Sequence, residues 1–373
     1  IRTASNAYFP QKLSVISLPP RNETVTEAVD RAWMFLEAAE SIDDVRYERK
    51  KDRVAKILEG LSNEEIWEEL ERRRNPTTET ASRLKPDELR TLISCEQEQG
   101  DDRPDGDFYA RVLPRSIWDA PWMKSIEQIV LVHRLREVVA QAGFTRFKSA
   151  TTNIEGELEI GVLPALLARE ITWVPAIENR GEGIFIQFKS EMLDEWATRP
   201  EVLKYGTDLN EGFEVWKSEH RTSRREFPPL QYYLLHSLAH MLITTISLEC
   251  GYPASSIRER IYAFSDVGYG ILLYTGSPDS EGTLGDLIQE GRRIHEHMRL
   301  ALTRAELCSN DPVCSQHQPD NLHERRFLHG AACHGCLLIA ETSCEQNNDY
   351  LDRSLVVSTV EDRGVEFFKM GPP

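Results

Sequence analysis

The sequence predicts a multi-domain α+β protein, with a helical N-terminal part and a mixed α/β C-terminal domain that carries a cysteine-rich zinc site. Helical patterns occupy most of residues 24–99, and short β-rich segments bounded by glycine or proline lie between residues 158 and 188. Five of the seven cysteines fall between Cys308 and Cys344. We therefore expect a mostly helical region, a mixed α/β region that ends in a polar linker, and a zinc-binding domain, over residues 1–106, 107–229 and 230–373.

The composition limits the class of protein. With 373 residues and 40% hydrophobic content, the chain can form about two or three domains with cores, and no apolar run reaches the length of a membrane span. Nothing near its start resembles a signal peptide, so we expect a cytoplasmic protein. The net charge of −17 argues against general binding to phosphate backbones, because that affinity comes from lysine and arginine. Short basic clusters at residues 72–74, 221–225 and 325–326 are more typical of solvated helix ends and loops.

The N-terminal part contains two well-marked helices. A capping-box pattern at Ser62 and Glu65 opens a helix over residues 64–74. A proline in the first turn begins a second helix over residues 86–95. The acidic, turn-rich segment 99–106 then predicts a linker.

The middle region begins with a predicted amphipathic helix. Its apolar residues, from Ile126 to Val139, recur at helical spacing, and Gly143 follows as a stop signal. Short strands are predicted at residues 158–162, 171–174 and 183–188. The polar stretch 211–229 separates them from the C-terminal part.

The C-terminal part opens with the most regular helical pattern in the chain, residues 230–249, which Gly251 ends. An apolar strand is predicted at residues 270–275, followed by a glycine-rich loop over residues 276–285. A further helix over residues 286–307 then leads into the cysteines.

The cysteine cluster indicates a structural zinc site. Cys333 and Cys336 form a C-x-x-C pair that can direct two thiolates at one metal, and a closed tetrahedral site needs two more ligands. Cys308, Cys314 and Cys344 compete for those positions, so one cysteine is spare and we expect about one zinc per chain. A disulfide framework, buried free thiols, and a redox or catalytic pair are the alternatives.

A metal-dependent hydrolase acting on nucleic acid is the alternative function. His236 and His240 lie four residues apart, which places both imidazoles on one face of a helix, where Asp279 and Glu281 could meet them. The H-E-x-x-H pattern of metalloproteases is missing, and buried histidines are more often hydrogen-bonded structural groups. The sequence also lacks the G-x-x-x-x-G-K-[ST] loop that binds ATP phosphates, so it contains no helicase motor of its own.

The loop after the predicted strand 270–275 favours contact over catalysis. Ser277 and Ser280 do not lie in the G-x-S-x-G turn of serine hydrolases. Asp279 and Glu281 lie among glycines, which permit close approach of another molecule. We expect these four residues to contact a partner protein or DNA, and we expect no small-molecule substrate.

Several segments from residue 234 onward resemble one family. They include Leu-Leu-His-Ser-Leu-Ala-His, Ile-Arg-Glu-Arg-Ile-Tyr, Gly-Ile-Leu-Leu-Tyr-Thr-Gly-Ser-Pro-Asp-Ser-Glu-Gly-Thr-Leu-Gly, Gly-Ala-Ala-Cys-His-Gly-Cys and Glu-Thr-Ser-Cys-Glu. The chain resembles the DrmB family of the DISARM antiphage defence system, whose zinc-binding C-terminal domain is shared with MrfA-like DNA-repair helicases. The resemblance covers about residues 230–355, and residues 4–10 are also similar to the start of that family's shared region.

The resemblance implies a non-enzymatic partner of a superfamily 2 DNA helicase of the DrmA type, with DNA engaged through the complex of the two proteins. In the related helicases the cysteines of this domain hold zinc. That role carries over most directly to Cys333 and Cys336. It carries over less directly to Cys308, Cys314 and Cys344. Cys308 and Cys314 are well separated from the C-x-x-C pair, and the relatives have a shorter, glycine-rich loop where this chain has residues 277–281.

Overall fold

The computed structural model describes residues 8–19, 23–39, 41–58, 61–74, 84–146, 153–156, 173–221, 223–251, 253–276 and 286–369. The chain forms two compact units, one of residues 19–83 and one of residues 1–18 together with 84–373. The predicted α+β class is confirmed, whereas the division of the chain at residues 106 and 229 stays a prediction.

The smaller unit is helical, as the sequence predicts. Its helices are α1 (Glu23–Leu36), α2 (Ile42–Glu48), α3 (Asp52–Ile57) and α4 (Asn63–Arg74). Ser41 begins α2 with a capping box, in which its hydroxyl accepts from the Asp44 amide and the Asp44 carboxylate accepts from the Ser41 amide. Apolar side chains of all four helices meet in one core, among them Val29, Val45, Val54 and Leu70.

A seven-stranded antiparallel sheet organises the larger unit. Its strands are β1 (Tyr8–Ser17), β2 (Glu98–Gly100), β3 (Phe108–Val112), β4 (Ile126–Arg146), β5 (Ala176–Phe188), β6 (Ile257–Phe264) and β7 (Gly268–Thr275). The spatial order is β2-β3-β4-β5-β7-β6, and β1 pairs with the far end of β4. The sheet therefore joins strands from the first half of the chain to the β6–β7 hairpin that precedes the cysteines.

The predicted amphipathic helix after residue 126 is wrong, because these residues form β4. Register shifts lie between Ile126 and Gln128 and between Val132 and Leu135. Ile126 and Ile129 contribute to one core, and Val132 and Leu135 to the core on the other face. A bulge adds one residue to a strand, so two residues three apart can share a face and imitate helical spacing.

Helices pack on both faces of the sheet. They are α5 (Leu84–Ile93), α6 (Arg115–Trp118), α7 (Ser190–Ala197), α8 (Pro200–Glu219), α9 (Leu230–Cys250), α10 (Asp286–Gly291) and α11 (Ile294–Ala305). The larger core lies between the sheet and α7–α11, with the buried face of α9 at its centre. The smaller core lies on the opposite face, where Leu89 and Leu92 of α5 pack against Phe185 and Leu272.

Two other predicted boundaries differ from the structure. The polar stretch predicted from residue 211 is still helical as far as Glu219, because Leu209 and Phe213 continue the buried face of α8. The helix predicted over residues 286–307 is interrupted between α10 and α11. Gly291 ends α10 against the sheet, and a Cβ at that position would lie 2.5 Å from Leu131.

The remaining predicted elements are partly described. The helix predicted at residues 230–249 is confirmed as α9, and Gly251 ends it with a positive φ of 73°. Strand 183–188 is the end of β5, strand 270–275 is most of β7, and Trp173 and Val174 are not in a strand. Strand 158–162 lies outside the described residues. Among the helices that the structure describes, none is both long and apolar enough to cross a membrane.

Candidate metal centres

Four thiols converge where the chain leaves α11. Residues 306–369 form turns and one short 3-10 helix, Arg353–Leu355. The Sγ atoms of Cys308 and Cys333 are 3.5 Å apart. Cys336 places its sulfur 3.7 Å from the sulfurs of both Cys314 and Cys333. All four sulfurs lie within 4.8 Å of one another.

These separations fit one tetrahedral metal ion. Zn–S bonds of about 2.3 Å in a tetrahedron place the sulfurs about 3.8 Å apart. All seven cysteines lie in the described part of the chain, and none of them forms a disulfide. The thiols are therefore available to a metal and are already at coordinating separations.

Backbone amides point at the sulfurs. The Asn310 amide donates to Cys308 Sγ at 3.4 Å, and the Gly335 amide donates to Cys333 Sγ at 3.3 Å. These donors stabilise negative charge on the thiolates. A Cβ on Gly335 would lie 2.7 Å from Ser309 Oγ and 3.4 Å from Cys308 Sγ, so the two cysteine turns approach each other closely at this glycine.

A fully buried arginine fixes the first cysteine turn. Arg353 donates to the carbonyl oxygens of Ala305 and Glu306 at 2.7 and 3.1 Å and forms an ion pair with Asp311. The Asp311 carboxylate accepts in turn from the Cys308 amide at 2.8 Å. Burial alone would raise the pKa of Asp311, but these hydrogen bonds from Cys308 and Arg353 lower it.

Within the cluster, Cys314 is the thiol that favours the thiolate form at neutral pH. The hydrogen bond from the Cys336 thiol lowers the pKa of Cys314 to about 6, against the opposite effect of burial, and the positive charge of Arg353 lowers it further. The same hydrogen bond raises the pKa of Cys336, because that thiol keeps the proton. A metal ion bound by all four sulfurs would displace this proton.

Cys344 lies in a second cluster. Its Sγ is 3.2 Å from His236 Nε2, and His236 Nε2 is 2.8 Å from Glu259 Oε1. His240 Nε2 is 3.1 Å from the same carboxylate oxygen. All four side chains are buried, and their candidate ligand atoms lie within 4.8 Å of one another.

Glu259 is the member of this cluster that the sequence analysis missed. The expected carboxylates, Asp279 and Glu281, lie outside the described residues. Among the described residues, Glu259 is the carboxylate that the structure places beside both histidines. The missed signal is its position in β6, where it lies between Ile257 and Ile261 on the face that packs against α9. A charged residue at an inward position between two core isoleucines needs a partner.

Comparison with known proteins agrees with this geometry. The family described as MrfA Zn-binding domain matches residues 238–337, which include the four converging cysteines. "DISARM protein DrmB" from Bacillus paralicheniformis is 31% identical to the chain over 99% of its length. The predicted resemblance to DrmB is confirmed. The DrmB-like chain spans about 65% of the length of that relative.

The cofactor predicted from the sequence is also confirmed. A zinc-binding domain covers the cysteine region, and four thiols there have the separations of a tetrahedral zinc site. The domain match ends before Cys344, which the structure places with the histidines of α9.

The predicted contact loop and the basic clusters are the remaining candidate sites from the sequence. The contact-loop residues Ser277, Asp279, Ser280 and Glu281 lie outside the described residues. In the basic clusters, Arg225 forms a 2.6 Å ion pair with Asp349 and Arg325 a 2.7 Å ion pair with Glu219. These arginines therefore form contacts within this chain.

Proposed function

We propose that this DrmB-like chain is a non-catalytic, zinc-stabilised component of DISARM antiphage defence, which associates with a superfamily 2 DNA helicase and supports DNA engagement by the complex. The similarity to DISARM protein DrmB along 99% of the chain is the observation that carries the proposal. Zinc sites of four cysteines are most readily kept reduced in the cytoplasm, where the proposal places the protein.

The proposed zinc ligands are Cys308, Cys314, Cys333 and Cys336. Four thiolates close the tetrahedron of the ion and leave no position for a reacting water, which is typical of structural zinc. The ion would join the turn after α11 to the C-x-x-C turn. Since residues 306–369 contain little regular secondary structure, we infer that metal binding supplies much of the folding free energy of this segment.

The geometry disfavours the hydrolase alternative. His236 and His240 are completely buried among α9, β6 and the C-terminal segment. A hydrolytic centre must admit its substrate and a water, and nucleic acid is too large to reach side chains with no exposed surface. The burial of these histidines therefore favours packing or metal binding over a hydrolytic role.

We expect the chain by itself to bind DNA weakly. Its net charge of −17 opposes counterion release, and Arg225 and Arg325 form ion pairs within the chain. Fluorescence anisotropy with duplex and single-stranded oligonucleotides at physiological salt should give a Kd weaker than about 10⁻⁶ M. Tighter binding is expected only with the helicase present. Nanomolar binding by the chain alone would contradict engagement through a complex.

The helicase association is tested by co-purification with the helicase of the same defence system. We expect a stable complex whose DNA-stimulated ATPase differs from that of the helicase alone, because the partner shapes the DNA path. If the two proteins neither co-purify nor change the ATPase response, the proposed partner is wrong. Zinc content should be measured on the same samples. A chain that keeps its zinc but does not bind the helicase is folded, so the missing association is then not caused by unfolding.

The acidic loop is proposed to contact the helicase or DNA. Replacing Asp279 and Glu281 together with alanine should leave the melting temperature and zinc content nearly unchanged, because loop charges contribute only about 0–1 kcal/mol to stability. Helicase association or the ATPase response to DNA should weaken. The control is Glu191→Ala with Glu195→Ala, an exposed acidic pair on α7. If both double variants showed the same helicase association and the same ATPase response to DNA, a contact role for the loop would be contradicted.

A further inference from the structure

The cluster of His236, His240, Glu259 and Cys344 has no role in the proposed function. We propose that these four side chains bind a second divalent transition-metal ion, zinc by the type of its ligands, in a closed structural site. This inference is independent of the helicase partner, because it concerns the metal content of this chain alone.

Three separate segments bring the donors together. His236 and His240 lie one turn apart on the buried face of α9, and Glu259 faces them from β6. Cys344 comes from the turns after the four-thiol cluster. Imidazole, carboxylate and thiolate are all zinc ligands in proteins.

The hydrogen bonding of His240 points to a metal. Its Nδ1 lies 2.8 Å from the carbonyl oxygen of Leu337, which can only accept, so Nδ1 carries a proton. A neutral His240 then has a lone pair on Nε2, and this atom is 3.1 Å from the carboxylate of Glu259. Two acceptors at that separation repel each other unless a cation lies between them. Histidines that bind metal commonly donate their other ring N–H to a carbonyl in this way.

A purely hydrogen-bonded cluster satisfies these atoms less well. His240 would have to be a fully buried imidazolium, since both of its ring nitrogens face acceptors. His236 Nε2 could donate its one proton to Glu259 or to Cys344, although it lies 2.8 and 3.2 Å from them. Glu259 Oε2 has no hydrogen-bond partner within the described part of the chain. A buried polar atom without a hydrogen-bond partner lowers the stability of the fold.

Charge balance favours a divalent ion. With both imidazoles neutral, Glu259 and a Cys344 thiolate each carry one negative charge, which a divalent cation neutralises in a site without solvent. The Cys344 sulfur also accepts from the backbone amides of Asn348 and Gln346 at 3.1 and 3.4 Å. The same kind of amide donor points at Cys308 and Cys333 in the four-thiol cluster.

The burial of the site makes it structural. Four protein ligands leave no open position, and the side chains of His236, His240 and Glu259 have no exposed surface. The ion would tie α9 to β6 and to the segment after the C-x-x-C turn. The chain would then hold about two zinc ions, in place of the single ion expected from the cysteines alone.

The first test is metal analysis of the full chain, purified without a polyhistidine tag. Elemental analysis should give about two zinc equivalents per chain. X-ray absorption at the zinc edge should show about two or three sulfur and one or two nitrogen or oxygen ligands per zinc on average, at about 2.3 and 2.0 Å. One equivalent with only sulfur ligands would overturn the proposal, and this measurement needs no variant.

The second test is Glu259→Gln, which keeps the side-chain shape and removes the anionic ligand. We expect the loss of about one zinc equivalent and of the nitrogen and oxygen ligands, so that the remaining zinc has only the sulfur ligands of the four-thiol cluster. The matched control is Glu137→Gln, since Glu137 is also a buried sheet glutamate but binds Arg258 and Tyr274 away from both clusters. It should keep about two equivalents. Retention of both ions in folded Glu259→Gln would also overturn the proposal.

Discussion

Replacing Cys336 with serine should remove zinc from the four-thiol cluster and unfold the C-terminal segment around it. The sulfur of Cys336 is 3.7 Å from those of Cys314 and Cys333, so its loss opens the tetrahedron. Binding of structural zinc is worth about 10–16 kcal/mol in small zinc domains and is also folding free energy there. We expect the loss of about one zinc equivalent, a lower melting temperature and rapid proteolysis beyond α11.

The same result is expected for each cysteine of the cluster. Cys308 and Cys314 are less firmly predicted as ligands than Cys333 and Cys336, but all four sulfurs lie within 4.8 Å of one another. Cys95→Ser is the control, because Cys95 is buried in the smaller core, away from both metal clusters. If Cys336→Ser keeps its zinc and its protease resistance, the proposed ligand set is wrong.

Replacing Arg353 with methionine should destabilise the protein by about 3–5 kcal/mol, because Asp311 is left as a buried charge without its cation. Methionine keeps the length of the side chain but cannot donate to the carbonyl oxygens of Ala305 and Glu306. Since Asp311 holds the Cys308 amide, zinc affinity should also fall about 10- to 100-fold. Denaturant unfolding and competition with a zinc-binding dye measure the two effects.

Arg325→Met is the matched control. Arg325 is in the same C-terminal segment, its side chain is 65% exposed, and it pairs with Glu219 at the surface. Such exposed pairs contribute about 0–1 kcal/mol, and Arg325 donates no hydrogen bond to Asp311 or to a cysteine of the cluster. Equal destabilisation by the two substitutions would show that the buried ion pair does not hold the cysteine turn.

The sequence predicted the features that depend on local patterns. Helix α9 follows from a long apolar run ended by glycine, and the zinc cofactor follows from clustered cysteines with a C-x-x-C pair. The β-rich segment that ends β5 was also predicted, because β-branched and aromatic residues are bounded there by glycine. In each case the signal lies within a few neighbouring residues.

Local patterns failed where two structures produce the same spacing. The residues of β4 were predicted as a helix, because bulges after Ile126 and Val132 shift the alternation of the strand by one residue. At residues 129–132 both faces of the sheet are buried, so four consecutive residues are apolar and the alternation that marks a strand is missing there. Only pairing with the neighbouring strands decides that this segment is extended.

The sequence by itself determined that this chain has enough clustered cysteines to bind a zinc ion and that two histidines share one face of a helix. Both conclusions depend only on composition and on the spacing of nearby residues. Only the tertiary structure decided which side chains meet. It placed Cys308 and Cys314 beside the C-x-x-C pair, and it placed Cys344 beside α9 with Glu259 from β6. Residues far apart in the chain become neighbours through packing of the sheet and helices, and no short sequence pattern records that contact.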